Sequence, residues 1–312
     1  MSKFDIVIAG DCNIDLIFNE FHKLPDFGTE VLANQFEITL GSSAGIVAAH
    51  MASLGAKVAY VAAIGNDNFG QIFKSTIESH GVCTDYMIEK DDLKTGVTVV
   101  MAQKEERANI THSGAMASLT HDDLPWELIK TTPFFHLSNP YVLPNYRDSL
   151  PKLYKRIKSY GVRTSLDPQW DVDEKWDTDL KLLLPYLDYF LPNENELELL
   201  LSGNNININN LKQFISNAII CTCGNKGSKY ITKHNTEEFA SYLNEKPVDC
   251  IGAGDAFTAA FLTALTENKN INDAIAMAGK NGALSTTVAG GQVPYVSRSD
   301  FEERLFKFTH NQ

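Results

Sequence analysis

Residues 246–262, KPVDCIGAGDAFTAAFL, place Gly252, Ala253 and Gly254 directly before Asp255, and a run of small apolar residues at helical spacing follows. A glycine-rich turn entering a helix aims several backbone N–H groups and the positive end of the helix dipole at one spot, which suits an anion. Glycine at 252 and 254 permits a close approach that a Cβ would block. A carboxylate beside a bound anion would repel it, so Asp255 makes chemical sense as a proton acceptor while the amides carry the charge. Those are the parts needed to pass a phosphoryl group to a hydroxyl. A purely structural account of the same residues makes Asp255 a helix N-cap. Two other phosphate motifs fail: Phe257 stands where a dinucleotide fingerprint needs its third glycine, and no Gly-x-x-x-x-Gly-Lys-Ser/Thr occurs.

Asn193 and Glu196, in NENE, stand one helical turn apart at the end of the strand-like YFLP. An amide and a carboxylate there can hold water and Mg2+ near a polyphosphate; the same pair can equally form a capping box. In TCGNKG, Thr222, Gly224 and Gly227 mark another strand end past which a nucleotide could run, or a tight turn. AGKNGALSTTVAGG then supplies a helix carrying Asn281 and a turn at Gly290 and Gly291.

The elements that must position these groups alternate. FDIVIAG, KVAYVAAIG, PFFHLS, VRTSLD, YFLPN and NAIICTCG are short apolar runs that suit buried parallel strands. Between them AGIVAAHMASLGA, NFGQIFKSTIESHG, YRDSLPKLYKRIKSYG, LKLLLPYL and ENELELLL carry helical patterns, several closed by glycine. Strand–helix alternation with acids or Asn at strand ends predicts an α/β fold, a doubly wound and mainly parallel sheet flanked by helices. Two stretches break the alternation, at about 12–40 and 92–115, both rich in β-branched residues and turn signals. Their strands are expected to pair into a small β-sheet lid on a single domain spanning 1–312. GNNININN at 203–210 reads as a polar surface loop.

The formal net charge of −12 opposes nucleic-acid binding, which needs a basic face. Cys12, Cys83, Cys221, Cys223 and Cys250 show no zinc spacing and read as reduced thiols. The stretch 45–65, the most apolar, is broken by His50, Lys57 and glycines, so no membrane span is expected; the N-terminus shows no signal peptide, and a cytoplasmic protein is inferred. His50 and His80 read as packed or surface histidines, His112 as a lid-strand residue, and Trp126, Trp170 and Trp176 as packing.

In order along the chain, these motifs resemble the ribokinase-like, or PfkB, family of ATP-dependent carbohydrate kinases. GSSAGIVAAHMASLGAKVAYVAAIGNDNFG is similar to its N-terminal signature, DCIGAGDAFTAAFL to its C-terminal one, and Asn193-x-x-Glu196 and TCGNKG to its magnesium and nucleotide motifs. The resemblance implies Asp255 as catalytic base, Gly252, Ala253 and Gly254 as anion hole, and Asn193 with Glu196 ordering Mg2+ waters. It places ATP along Thr222, Gly224, Gly227 and Asn281. The acceptor would sit by Asn13, Asp15, Gly41, Ser42 and Ile46 at the mouth of the lid. A K+ site, seen in several members near this loop, would fall at Asp249 and neighbouring backbone oxygens.

The chain departs from the family at Cys250, usually Thr; at Ser42, usually Gly; at Ile46, usually Asn; and at Gln169, often Asn. GSSAG carries no Lys or Arg to pair with a phosphorylated acceptor, although Arg107 in the lid segment could supply one. The expected activity is transfer of the ATP γ-phosphate to a hydroxymethyl group of a small unphosphorylated sugar. The alternatives are a nucleoside kinase, with Ile46 facing a base, and a non-catalytic sugar or nucleotide sensor. Unpaired lid edges suggest a homodimer.

Overall fold

The computed structural model describes residues 2–103 and 106–310, and everything below refers to those residues. Along the first half run β1 (Ile6–Gly10), β2 (Asn13–Asn19), β3 (Gln35–Leu40), α1 (Ser43–Ser53), β4 (Val58–Val61), β5 (Ala63–Gly65), α2 (Asn68–Ser79), β6 (Ile88–Lys90), β7 (Gly96–Gln103) and β8 (Glu106–His112). Next come α3 (Trp126–Ile129), β9 (Phe134–Ser138), α4 (Pro144–Arg147), α5 (Leu150–Lys158), β10 (Arg163–Asp167), α6 (Leu180–Leu183), β11 (Tyr189–Phe190) and α7 (Glu194–Gly203). The chain closes with α8 (Ile208–Leu211), β12 (Ala218–Thr222), β13 (Ser228–Ile231), β14 (Thr236–Phe239), α9 (Ala253–Thr266), α10 (Ile271–Ser285) and α11 (Arg298–His310).

The main sheet has the order β14-β13-β12-β11-β10-β9-β1-β4. It is parallel from β4 to β12 and antiparallel at β13 and β14. Its central strands are buried on both faces, as their unbroken apolar runs require. One face is covered by α1, α2, α9 and α10, packed on residues such as Ile8, Phe134 and Ile220. The other is covered by α5, α6 and α7, packed on Val7, Phe135 and Ile219. A doubly wound fold is what the sequence pattern predicts. Such sheets gather their sites at the carboxyl ends of the strands.

A separate four-stranded sheet, β3-β2-β7-β8, is built from the two stretches that interrupt the alternation. Its register sets Asp15 beside Thr39 and Thr98 on one face. Leu16, Phe18, Phe36, Ile38, Val99, Met101 and Ile110 share the other.

Several expected elements are interrupted for identifiable reasons. KVAYVAAIG divides into β4 and β5, and β5 pairs with β6 in a sheet of its own. The helix expected over 146–161 breaks at Asp148 and Ser149, because Pro151 lacks an N–H and belongs in a first turn, where α5 begins. Pro185 similarly converts the end of LKLLLPYL into a 3₁₀ turn. GNNININN is not simply a loop: the Asn207 side chain accepts from the Asn210 N–H and starts α8. Among the described residues no helix is long and apolar enough to cross a membrane.

Candidate active site

A cavity of about 440 Å³ opens at the carboxyl ends of β10, β11 and β12, between them and the small sheet. Its lining includes Asp15, Asp167, Glu196 and Asp255, with no Lys, Arg or His among the described residues that form it.

Asp255 lies in the third residue of α9, whose N-cap is Gly252 at φ 73°. The left-handed backbone explains glycine at 252, and a Cβ there would meet the Gly291 Cα at 2.7 Å. Gly254 has a different reason: a Cβ would meet no protein atom within 4 Å, so its bare face looks onto open space. The Ala253 and Ala256 amides are used, donating to Cys250 O at 3.3 Å and Gly252 O at 2.8 Å. The Gly254 and Asp255 amides, in the first turn, have no intrahelical carbonyl to reach.

Asp255 is not a capping residue. The Ser43 hydroxyl donates to its Oδ1 at 2.5 Å, and the Gln169 amide donates to the same oxygen at 3.1 Å. Burial pushes its pKa up to about 7, opposed by the Ser43 bond, reinforced by the charges of Asp11 and Glu196, and opposed again by Gln169. A carboxylate poised there can take a proton at neutral pH. Ser43 is placed by Asp11, which accepts from the Ser43 and Ala44 amides, the Ser42 hydroxyl and the Asn139 amide.

Asn193 and Glu196 form a capping box at the start of α7: Glu196 N–H donates to Asn193 Oδ1, and Asn193 N–H to Glu196 Oε2, both at 2.9 Å. The capping box and the place in the cavity coexist, since both side chains also line it. Burial raises the pKa of Glu196 against the Asn193 bonds. Burial also raises Asp167, with the charges of Glu196 and Asp255 adding to it. These oxygen donors fit a hard cation that keeps its waters, and an acidic wall needs such a countercharge before a polyphosphate can enter. No described cluster of His, Cys, Asp or Glu forms a ready-made metal cage.

Of the remaining expected site residues, Asp15, Gly41, Ile46 and Thr222 line the cavity. At Gly41 a Cβ would meet Asp15 Oδ1 at 1.9 Å and Asn13 Nδ2 at 2.3 Å and would displace both side chains. Asn13 stands behind Asp15, donating to its Oδ1 at 3.1 Å and to Thr98 Oγ1 at 2.9 Å. Gly224 and Gly227 stand in the turn after β12, outside the cavity lining; Gly227 has φ 102° and is packed on the backbone of β14. Asp249 joins two loops, accepting from the Ile251 N–H at 2.9 Å and the Gly290 N–H at 3.0 Å. The Arg107 side chain lies outside the described residues.

Two expectations need correction. Asn281 does not reach the cavity. It is fully buried, donating to Ala256 O at 2.7 Å and accepting from the Tyr295 hydroxyl at 2.9 Å, and so ties α10 to the first turns of α9. Ser42 is also fully buried, as the N-cap of α1 accepting from the Gly45 N–H; its neighbour Ser43 lines the cavity instead. Ile46 does line the cavity, but it is 3% exposed and packs on Gly252 and Gly291, leaving little of it to face a base.

Sequence reasoning missed Asp11, Ser43, Asn139, Asp167 and Thr258. Asn139 and Asp167 carried a signal, since each is the polar residue closing a strand-like run, HLSN and TSLD. His50 is packed as expected, its imidazole driven down to about 3 by burial. Trp176 packs as expected, whereas Trp170 is 48% exposed.

The fold and the cavity define a class: an α/β protein with its site where a doubly wound sheet presents its strand ends. The pfkB family carbohydrate kinase model matches residues 3–298, and the chain belongs to that family, whose members are ATP-dependent kinases. It is 26% identical to a ribokinase of Bacillus subtilis over 301 residues, covering 96% of this chain and 99% of the relative. A ribokinase of Thermotoga maritima superposes with a TM-score of 0.82 at 25% identity, covering 97% of this chain and 99% of the other. A nucleoside kinase of Methanocaldococcus jannaschii superposes equally well, TM-score 0.82, at 21% identity, covering 98% and 100%.

Proposed function

We propose that this chain is an ATP-dependent sugar kinase that phosphorylates a hydroxymethyl group of a small, unphosphorylated sugar. The observation that carries this is Asp255, buried, raised to about 7, and set beside the open first turn of α9. In the proposed step the acceptor oxygen attacks the γ-phosphorus, its proton passes to Asp255, and the bond to the β–γ bridging oxygen breaks to release ADP. The turn Gly252, Ala253 and Gly254 forms the proposed anion hole, with the Gly254 and Asp255 N–H groups, rather than the engaged Ala253 N–H, facing the charge that develops. Asn193 and Glu196 would hold Mg2+ through water, and the metal when bound supplies neutralising charge along the phosphates. ATP would run past Thr222 toward the Gly224 turn.

Asp15 is assigned to the acceptor hydroxyls, with the small sheet as a lid that excludes water. The cavity's charge supports an unphosphorylated acceptor, since a sugar phosphate would meet carboxylates and, among the described residues that line it, no Lys, Arg or His. K+ is the candidate monovalent ion, with Asp249 ordering the loops whose carbonyls would meet it. The apolar face of the small sheet, where Phe36, Ile38 and Ile110 are 52%, 46% and 67% exposed, is the candidate homodimer surface. A cytoplasmic protein is the matching location.

A panel of free sugars, sugar phosphates and nucleosides, assayed for ADP release with MgATP in Na+ and K+ buffers, tests the assignment. Turnover of a free sugar is expected. Preference for a nucleoside would replace the sugar reading despite the packing of Ile46. ATP binding without transfer to any acceptor would make the chain a sensor.

A further inference from the structure

We propose that Gln169 is the positioning residue for Asp255: with Ser43 it fixes Oδ1 and leaves Oδ2 as the oxygen that meets the acceptor hydroxyl. The geometry stands alone; its catalytic consequence rests on the kinase reading.

Gln169 lies two residues past the end of β10 and bridges two buried acids of the cavity, Asp167 and Asp255. Its backbone N–H donates to Asp167 Oδ1 at 3.2 Å. Its side-chain Nε2 donates to Asp255 Oδ1 at 3.1 Å and to Ser43 Oγ at 2.9 Å. The two acceptors lie 2.5 Å apart, so one Nε2 hydrogen is shared between them in a three-centre bond. The opposite amide orientation would set oxygen against oxygen, so the chemistry fixes which way it points. Ser43 Oγ closes the triangle by donating to the same Asp255 oxygen. Asn, shorter by about 1.5 Å of chain, could not span both acids from this backbone.

Holding Gln169 there requires a left-handed backbone, φ 56°, in a residue that is not glycine. Such strain persists only where the surroundings over-determine it. They do. Two residues on, Asp171 is fully buried and takes a bidentate pair from Arg147 at 2.5 and 2.7 Å, plus the Trp176 and Asp173 amides at 2.8 and 3.1 Å. Trp170 meets Trp176 edge-on at 5.1 Å, and Glu174 and Trp176 are left-handed as well. The loop is a bracket anchored away from the cavity with one side chain reaching in.

The charged groups that bear on Asp255 are Asp11, Glu196 and Asp167, all acids. A neutral amide donor offsets them without itself titrating, so it holds the carboxylate at any working pH.

The test pairs Gln169→Met, which keeps length and loses both donors, with Gln169→Asn, which keeps an amide and loses reach. The Asp255 carboxyl is titrated by ¹³C NMR in the full chain, its signal identified with Asp255→Asn. The midpoint is expected to rise by roughly one pH unit in both variants. The acid limb of kcat/KM for the best acceptor of the panel should move up equally, about a tenfold loss below the limb that shrinks toward high pH. A residue that only packs would give a loss independent of pH. An unmoved midpoint and an unmoved limb overturn the proposal. If Gln169→Met does not fold, Gln169→Asn carries the same expectation. A shifted midpoint in a protein that phosphorylates nothing sinks the kinase reading and leaves the Gln169–Asp255 link; transfer with an unmoved midpoint does the reverse.

Discussion

The two walls of the cavity are built differently. Asp255 is buried against the main sheet and held by Ser43 from α1 and Gln169 from the loop after β10. Asp15 sits on the small sheet, half-buried, beside Asn13 of its own strand and across from Gly41. Beyond it the sheet carries exposed apolar residues, and Phe27 at the tip of the β2–β3 connection is fully exposed. The proposed base is thus fixed by elements far apart in sequence, while the proposed acceptor side belongs to a thin sheet with one unburied face. Rigid support suits a proton acceptor, which must be held to a fraction of an ångström; a movable wall suits recognition and release of the acceptor.

The comparison breaks most sharply at Asp255 itself. Its folded pKa, about 7, lies above the ordinary 3.8, so the stability it contributes is complete below about pH 4 and is lost as pH rises through about 7. Asp255→Asn should therefore unfold at higher temperature than wild type at pH 8, with a gain of up to about 4 kcal/mol, and show no gain at pH 4. Thermal unfolding at both pH values checks the sign. Equal stabilities at pH 8 would mean that the base is not held under strain.

Asn281→Ala removes a buried donor and acceptor behind the same wall and should cost about 1–3 kcal/mol in denaturant unfolding. The KM for ATP should stay within about twofold, because Asn281 does not reach the cavity. A large rise in KM at unchanged stability would restore it to the nucleotide site.

Gly254→Ala sharpens the contrast between fold and chemistry. No protein atom opposes the added methyl, so the melting temperature should hold, while turnover falls about tenfold or more as the methyl meets the transferring group. Gly252→Ala should lose both, given its positive φ. On the acceptor wall Asp15→Asn should raise the acceptor KM about tenfold with a smaller change in kcat. The smallest effect is expected on the outer face of the small sheet. Phe36→Ser with Ile38→Ser should leave melting within about 1 °C and turn a dimer into a monomer on sizing chromatography. A monomeric wild type removes the dimer proposal.

The same contrast governs how much the sequence discloses. GAGD at 252–255 and Asn193-x-x-Glu196 are local, and the strand–helix alternation that places them follows from hydrophobic period and glycine stops. Asp11, Ser43 and Gln169 act across the fold. Nothing in GSSAG says that the second serine, not the first, would meet an acid 212 positions away. Ile46 shows a mixed case: it lines the cavity as its place in the motif suggests, but most of its side chain fills the gap between two glycines. Asn281 likewise sits in a helix beside the expected nucleotide path and points into the interior. Motifs disclose the chemistry; side-chain direction in a packed core is settled only by the tertiary contacts.

Asp255 is proposed to accept the proton of the hydroxyl being phosphorylated. The most direct measurement is the single-turnover rate of phosphoryl transfer by Asp255→Asn, with saturating MgATP and the best acceptor of the panel, at pH 8. A fall of about 10²–10⁴ is expected, with nucleotide affinity retained. A fall of less than about tenfold would contradict it.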